Sequence, residues 1–98
     1  MSTEMISITS YCLKYDIEGS FIDSLEDGGL IEIVWVNNER FIPYSVLPQL
    51  ERYIRWHYEL DINPEGIETI QYLLYKIDLL KQEAADLRSR LKVYEGTK

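Results

Sequence analysis

The chain is short and acidic: its 98 residues include 10 Lys and Arg against 17 Asp and Glu, giving a formal net charge of −7. With 46% hydrophobic residues this length suits one domain with a modest core, so intrinsic disorder is not expected. The acidic balance argues against nonspecific nucleic-acid binding, which depends on Lys and Arg at phosphates.

Residues that support metal binding and covalent catalysis are scarce. The single cysteine, Cys12, excludes an intramolecular disulfide and a cysteine-based zinc site, and the single histidine, His57, leaves no second one for a metal pair or a triad. We expect Cys12 to be a buried structural thiol. The sequence therefore predicts a protein that is not an enzyme and that uses no metal or cofactor.

Neither a membrane span nor a secretory signal is expected. No apolar run reaches the roughly 18 residues that a membrane helix needs. The segment Met1 to Thr9 lacks a basic stretch followed by an apolar one. The sequence therefore predicts a cytoplasmic protein.

The acidity is concentrated in the first half of the chain. Residues 1–42 hold two basic and eight acidic side chains, a net charge of −6, whereas residues 43–98 hold eight and nine, a net charge of −1. We therefore expect an electrostatic partner to contact the N-terminal half.

This half begins with the pattern of two short helices joined by a tight turn. One helix face is formed by Ile8, Cys12 and Tyr15, and a second by Phe21, Ile22 and Leu25. Asp16 lies where the turn needs a left-handed residue, and Gly28-Gly29 ends the second helix, roughly Gly19 to Asp27. The pattern predicts a helix-turn-helix.

A β-hairpin, or wing, and a middle helix are expected next. The strands Ile31 to Val36 and Glu39 to Ile42 are joined by the two-residue turn Asn37-Asn38. Ser45 is then predicted to cap a helix that has Pro48 in its first turn and runs through Leu60. Trp56 is expected in the core, whereas Trp35 suits either the core or a partner interface.

The last segment has the pattern of one long helix with a coiled-coil seam. Asn63 and Pro64 give it a cap and a first residue, and no Pro or Gly follows Gly66 until Gly96. The seam steps by 3 and 4 through Ile70, Leu73, Ile77, Leu80, Ala84, Leu87, Leu91 and Tyr94.

The distal part of this seam predicts a homodimer. We expect Ile77, Leu80, Ala84, Leu87, Leu91 and Tyr94 to pair with a second copy, in a direction that the sequence leaves open. The alternative is an intrachain hairpin with the middle helix. The expected organisation is a head with the middle helix over residues 1–62 and a dimerisation helix over residues 63–98, within one structural domain.

The predicted second helix has the wrong charge for reading DNA. A recognition helix brings Arg, Lys, Asn or Gln to base edges, yet no basic residue occurs between Lys14 and Arg40. Five acids lie within twelve positions instead: Asp16, Glu18, Asp23, Glu26 and Asp27. Such a surface suits a basic protein, and we expect these acids, with Trp35, to form the partner-binding face.

The order of elements resembles the MerR-type regulators. In that family the second helix carries Arg-Thr-Leu-Arg-Tyr-Tyr-Glu, and the matching stretch here is Ser20-Phe21-Ile22-Asp23-Ser24-Leu25-Glu26. Ser20 and Asp23 stand where the family has its two DNA-binding arginines. The resemblance implies a mainly α fold: a winged helix-turn-helix with a small β-hairpin and a long C-terminal coiled-coil helix.

A closer resemblance is to the CbpM family of chaperone modulators, over roughly residues 6–94. It is carried by Tyr11-Cys12-Leu13, Ile17, Gly29-Leu30-Ile31, Tyr58 to Pro64, Gly66-Ile67, Ile77, Leu80 to Glu83 and Leu87 to Leu91. Proteins of that family bind the J-domain of a CbpA-type, DnaJ-like co-chaperone and inhibit it. The resemblance therefore implies a J-domain modulator; the alternatives are a MerR-type DNA-binding regulator and a small-molecule sensor.

Overall fold

The computed structural model describes residues 4–96, which form four helices and three short strands. The elements are β1 (Met5–Ser7), α1 (Ile8–Tyr15), α2 (Gly19–Asp27), β2 (Val34–Val36), β3 (Glu39–Pro43), α3 (Leu47–Tyr58) and α4 (Pro64–Gly96). A single 3-10 turn over Tyr44–Val46 precedes α3. The chain divides into two compact units, one ending at Glu68 and the other beginning at Thr69. The mainly α prediction is confirmed.

The helix pair of the first unit folds as its sequence predicts. Ser7 caps α1, its Oγ accepting a hydrogen bond from the Ser10 N–H at 3.4 Å. Asp16 ends α1 in the left-handed region, with φ 56° and ψ 50°, a conformation that Asp tolerates better than most residues. The turn prediction at Asp16 is confirmed.

The core of the first unit draws on all its helices and on the sheet. Its buried members are Ile8, Tyr11, Ile17, Phe21, Ile22, Leu25, Ile31, Ile42, Leu50, Tyr53 and Ile67. The predicted face of α1 was wrong in one member, because Tyr11 is buried whereas Tyr15 is exposed. The Tyr15 ring instead lies against Tyr11, with the centroids 4.7 Å apart. Trp56 is half-buried against this core.

Three antiparallel strands form a small sheet in the order β1-β3-β2. Asn37 and Asn38, with φ 51° and 64°, form the predicted two-residue turn, since both take the left-handed conformation that such hairpins need. The predicted start of the first hairpin strand at Ile31 was wrong. Ile31 is buried in the core, and pairing with β3 begins only at Val34.

The start and end of α3 also differ from the prediction. Ser45 does not cap the helix: it lies in the 3-10 turn, and Val46 at the N-cap is already helical, with φ −87° and ψ −17°. A residue whose side chain caps a helix usually has an extended backbone. Val46 does not, and no side chain caps α3. Pro48 occupies the first turn as predicted, and α3 ends at Tyr58 rather than Leu60.

The link from α3 to α4 is held by local hydrogen bonds. The Ile62 N–H donates to the Trp56 carbonyl at 3.0 Å, and the Ile62 carbonyl lies 2.8 Å from His57 Nδ1, which must carry the proton because a carbonyl only accepts. Asn63 Oδ1 accepts from the Gly66 N–H at 2.7 Å, which confirms the predicted cap of α4.

The second unit consists of α4 from Thr69 onward, and the helix is unbroken to Gly96, as predicted. Most of the proposed seam is exposed in the single chain: Leu73, Ile77, Leu80, Leu87, Leu91 and Tyr94. Ile70 and Ala84 are partly exposed. Homodimerisation stays a prediction. Among residues 4–96, no helix is long and apolar enough to cross a membrane.

Candidate partner-binding surface

The helix α2 buries one face and presents the other to solvent. Phe21, Ile22 and Leu25 lie in the core. Ser20, Asp23 and Asp27 are exposed, and Glu26 is partly exposed. The outward face of this helix therefore carries carboxylates and hydroxyls, with no basic side chain of its own.

Contacts with α3 fix the beginning of α2. The Glu18 N–H donates to the Tyr58 hydroxyl at 3.0 Å. The Phe21 ring stacks on the His57 ring, with centroids 4.3 Å apart and planes inclined by 10°. His57 is thus partly buried, with its ring packed between helices of the first unit. These contacts leave the Asp16 and Glu18 side chains exposed beside the turn.

Arg40 connects the β2–β3 hairpin to α2. Its Nη1 lies 2.5 Å from Asp23 Oδ1 and 3.6 Å from Glu26 Oε1. The hydrogen bond that Arg40 donates to the Asp23 carboxylate is the largest cause of the raised pKa of Arg40, so the guanidinium keeps its charge. Two of the five predicted partner-binding acids therefore share an intramolecular cation.

Trp35 joins the same group from the neighbouring strand. It is the register partner of Arg40 in the hairpin, and the Arg40 guanidinium lies 5.9 Å from the centre of the Trp35 rings, within the range of a cation–π contact. Trp35 is 61% exposed, which excludes it from the core. We call Asp23, Glu26, Trp35 and Arg40 the α2–hairpin surface.

A comparison with protein families agrees with this architecture. The family model described as MerR HTH family regulatory protein matches residues 6–89, which include both short helices, the hairpin, α3 and most of α4. The chain belongs to the MerR helix-turn-helix family of regulatory proteins. No curated protein and no solved structure matches it significantly.

A further group of acids in this MerR family protein was missed by sequence reasoning. Asp27 lines a shallow groove together with Glu65 and Glu68, which lie in the first turns of α4. Glu68 lies close to α2, since a Cβ placed on Gly28 would be 3.2 Å from its Oε2. The groove extends the acidic face beyond α2. No sequence pattern connects Asp27 with Glu65 and Glu68, because they are far apart along the chain.

Cys12, predicted to be a buried thiol, is only half-buried against the core and lies close enough to Arg40 and Asp23 for their charges to act on it. Burial raises the pKa of the Cys12 thiol; the nearby Arg40 acts in the opposite direction, and Asp23 raises it further. A thiol with a raised pKa is mostly protonated at neutral pH and is a poor nucleophile.

The structure thus divides the six predicted partner-binding residues into three places. Asp23, Glu26 and Trp35 meet at Arg40, Asp16 and Glu18 flank the turn before α2, and Asp27 lies at its far end. Arg40 was missed as an organising residue because its partner Asp23 is 17 positions away. Within residues 4–96, no group of three His, Cys, Asp or Glu has an arrangement suited to a metal ion.

Proposed function

We propose that this MerR family protein is a non-enzymatic, cytoplasmic modulator that binds the J-domain of a CbpA/DnaJ-type co-chaperone and inhibits it. The observation that carries the proposal is the charge of α2. Its exposed face offers Asp23 and Asp27, with Glu18 just before it, and Arg40, the cation that forms an ion pair with this helix among residues 4–96, is held by Asp23 and Glu26.

That surface is unsuited to phosphate and suited to a basic protein. Each exposed carboxylate near a phosphate is repelled at short range, and no cation on α2 offsets the repulsion. J-domains of this type present a basic helix to their DnaK-type chaperone. A protein that covers the basic helix with an acidic face blocks that contact, which accounts for inhibition.

The resemblance to the CbpM family supports the proposed partner, and we choose the proposed contact residues by their exposure and ion pairs. Asp16, Glu18 and Asp27 point outward without an ion pair among the described residues, so we propose that they supply the main attraction. Trp35 is the proposed apolar anchor, since exposed aromatics are enriched at the centres of interfaces.

The test measures binding to a purified CbpA-type J-domain by biolayer interferometry, at low and at physiological salt. The variant combines Asp16→Asn, Glu18→Gln and Asp27→Asn; Asn tolerates the left-handed conformation at position 16. The control removes three exposed acids from α4 by Asp78→Asn, Asp86→Asn and Glu95→Gln. Both variants change the net charge equally.

We expect the first variant to bind about tenfold more weakly, mainly through slower association, and the control to bind within about twofold of the wild type. Equal binding by the two variants would show that these three acids do not form the interface. Absence of binding by the wild type would reject the J-domain as the partner.

DNA-binding regulation is the second candidate, and membership of a family of regulatory proteins favours it. A DNA reader binds random duplex DNA at low salt and loses affinity steeply as salt rises. We expect no such binding by this chain. A shift of labelled duplex at micromolar protein and low salt would favour the regulator instead.

We also propose that the protein is a homodimer through the seam of α4. Light scattering during size-exclusion chromatography should give twice the chain mass, and the pair Leu80→Glu and Leu87→Glu should give the monomer. Leu79→Glu with Val93→Glu is the control, because both positions lie off the seam. Dissociation by the control pair as well would contradict the assigned seam.

A further inference from the structure

Arg40 is held more tightly than a surface arginine on a hairpin would be. Its side chain is only 26% exposed, although Asp23 beside it is 53% exposed. On one side it meets the carboxylates of Asp23 and Glu26, and on the other the rings of Trp35. The guanidinium therefore links the hairpin to α2.

The hairpin register explains this position. Trp35 and Arg40 are directly opposed on β2 and β3, so both side chains leave the same face of the sheet. That face meets α2 at the helix position occupied by Asp23. Arg40 thus offsets one of the two negative charges of Asp23 and Glu26, while the Trp35 side chain stays exposed.

The ion pairs of Arg40 weaken the attraction between this surface and a basic partner. A partner Lys or Arg gains little at Asp23 or Glu26 while Arg40 holds both carboxylates, since a neighbouring like charge opposes its approach. The same carboxylates, without Arg40, would present two unpaired charges beside an exposed indole ring, which is a favourable environment for a guanidinium or ammonium group.

We infer that Arg40 is a built-in competitor for the basic side chains of the partner, and that partner binding displaces it from Asp23 and Glu26. The inference rests on the proposed function, because the partner is the J-domain proposed above. It adds that the affinity for the partner is limited by the intramolecular ion pair of Arg40.

The experiment compares Arg40→Gln with Arg55→Gln in the same J-domain binding assay. Both substitutions remove one positive charge, but Arg55 is exposed on α3 and forms no salt bridge within the described part of the chain. Circular dichroism and the thermal midpoint confirm that each variant is folded. A third variant adds Asp23→Asn to Arg40→Gln.

We expect Arg40→Gln to bind about fivefold more tightly than the wild type, which is the worth of one exposed ion pair, and Arg55→Gln to bind within about twofold of it. Adding Asp23→Asn should remove most of the gain, since the carboxylate freed by Arg40→Gln is then absent.

Three results overturn the inference, and the third also overturns the proposed function. If the wild type binds but the two single variants have equal affinity, Arg40 does not compete. If the gain persists after Asp23→Asn, it does not come from the freed carboxylate. If no form of the chain binds the J-domain, the proposed function fails and the competitor role fails with it.

Discussion

The ion pair between Asp23 and Arg40 gives a quantitative prediction for stability. We expect a double-mutant cycle of Asp23→Asn and Arg40→Gln to give a coupling free energy of about 0.5–1 kcal/mol in unfolding. The pair is close, with 2.5 Å between Nη1 and Oδ1, and Arg40 is three-quarters buried. Asp23 is half exposed, so solvent screens the pair and the value stays in the range of surface pairs.

The two single substitutions should lower the free energy of unfolding by different amounts. Arg40→Gln loses the contacts with Glu26 and Trp35 besides that with Asp23, so we expect a cost of about 1–1.5 kcal/mol. Asp23→Asn loses only the one pair and should cost about 0.5–1 kcal/mol. The order of the two costs is therefore predicted as well as their coupling.

Urea unfolding followed by tryptophan fluorescence measures the cycle, because both tryptophans, Trp35 and Trp56, lie in the first compact unit. Chain concentration is kept constant, since dimerisation would add to the apparent stability. At 0.5 M salt the coupling should fall to about half or less. A coupling indistinguishable from zero at low salt, or one unaffected by salt, would refute the assigned ion pair.

Three further predictions concern the head of the molecule. Ile22 is fully buried, so Ile22→Ala should lower the free energy of unfolding by about 2–5 kcal/mol, whereas the same change at the exposed Leu13 should cost less than about 0.5 kcal/mol. Asp16→Val should destabilise by about 1–2 kcal/mol because of the left-handed backbone, while Asp16→Gly should be neutral or stabilising in the same urea titration. Because burial raises the pKa of Cys12, iodoacetamide should modify it more slowly than a small free thiol at pH 7.5, and faster as pH rises; a rate equal to that of glutathione would contradict the burial.

The elements with strong local signals were predicted from the sequence alone. The helices α1 and α2, the Asn37-Asn38 turn and the Asn63 cap each depend on residues within a few positions of one another. The length of α4 follows from the absence of Pro and Gly between Gly66 and Gly96. Local conformational preferences decide such features, so a single sequence contains the necessary information.

The features that were missed depend on residues far apart along the chain. Strand β1 has only three residues and exists through its pairing with β3, more than thirty positions later. The choice of Tyr11 over Tyr15 for the core is set by what packs against α1. Ser45 failed as a cap because the 3-10 turn occupies its place.

The candidate surface shows the same division. Counting charges along the sequence located the acidic residues correctly in the first half, but it treated them as one uniform face. The structure separates Asp23 and Glu26, which share Arg40, from Asp27, which joins Glu65 and Glu68. Which acids are available to a partner depends on these long-range contacts.

The central claim is that the chain inhibits a J-domain co-chaperone through its acidic face. The most direct measurement is the ATPase rate of a DnaK-type chaperone stimulated by a CbpA-type J-domain, with increasing amounts of this protein. We predict loss of the stimulation near one chain per J-domain, weaker inhibition by the variant lacking the acids at Asp16, Glu18 and Asp27, and an unchanged unstimulated rate. Full stimulation at a large excess of the wild-type chain would contradict the account.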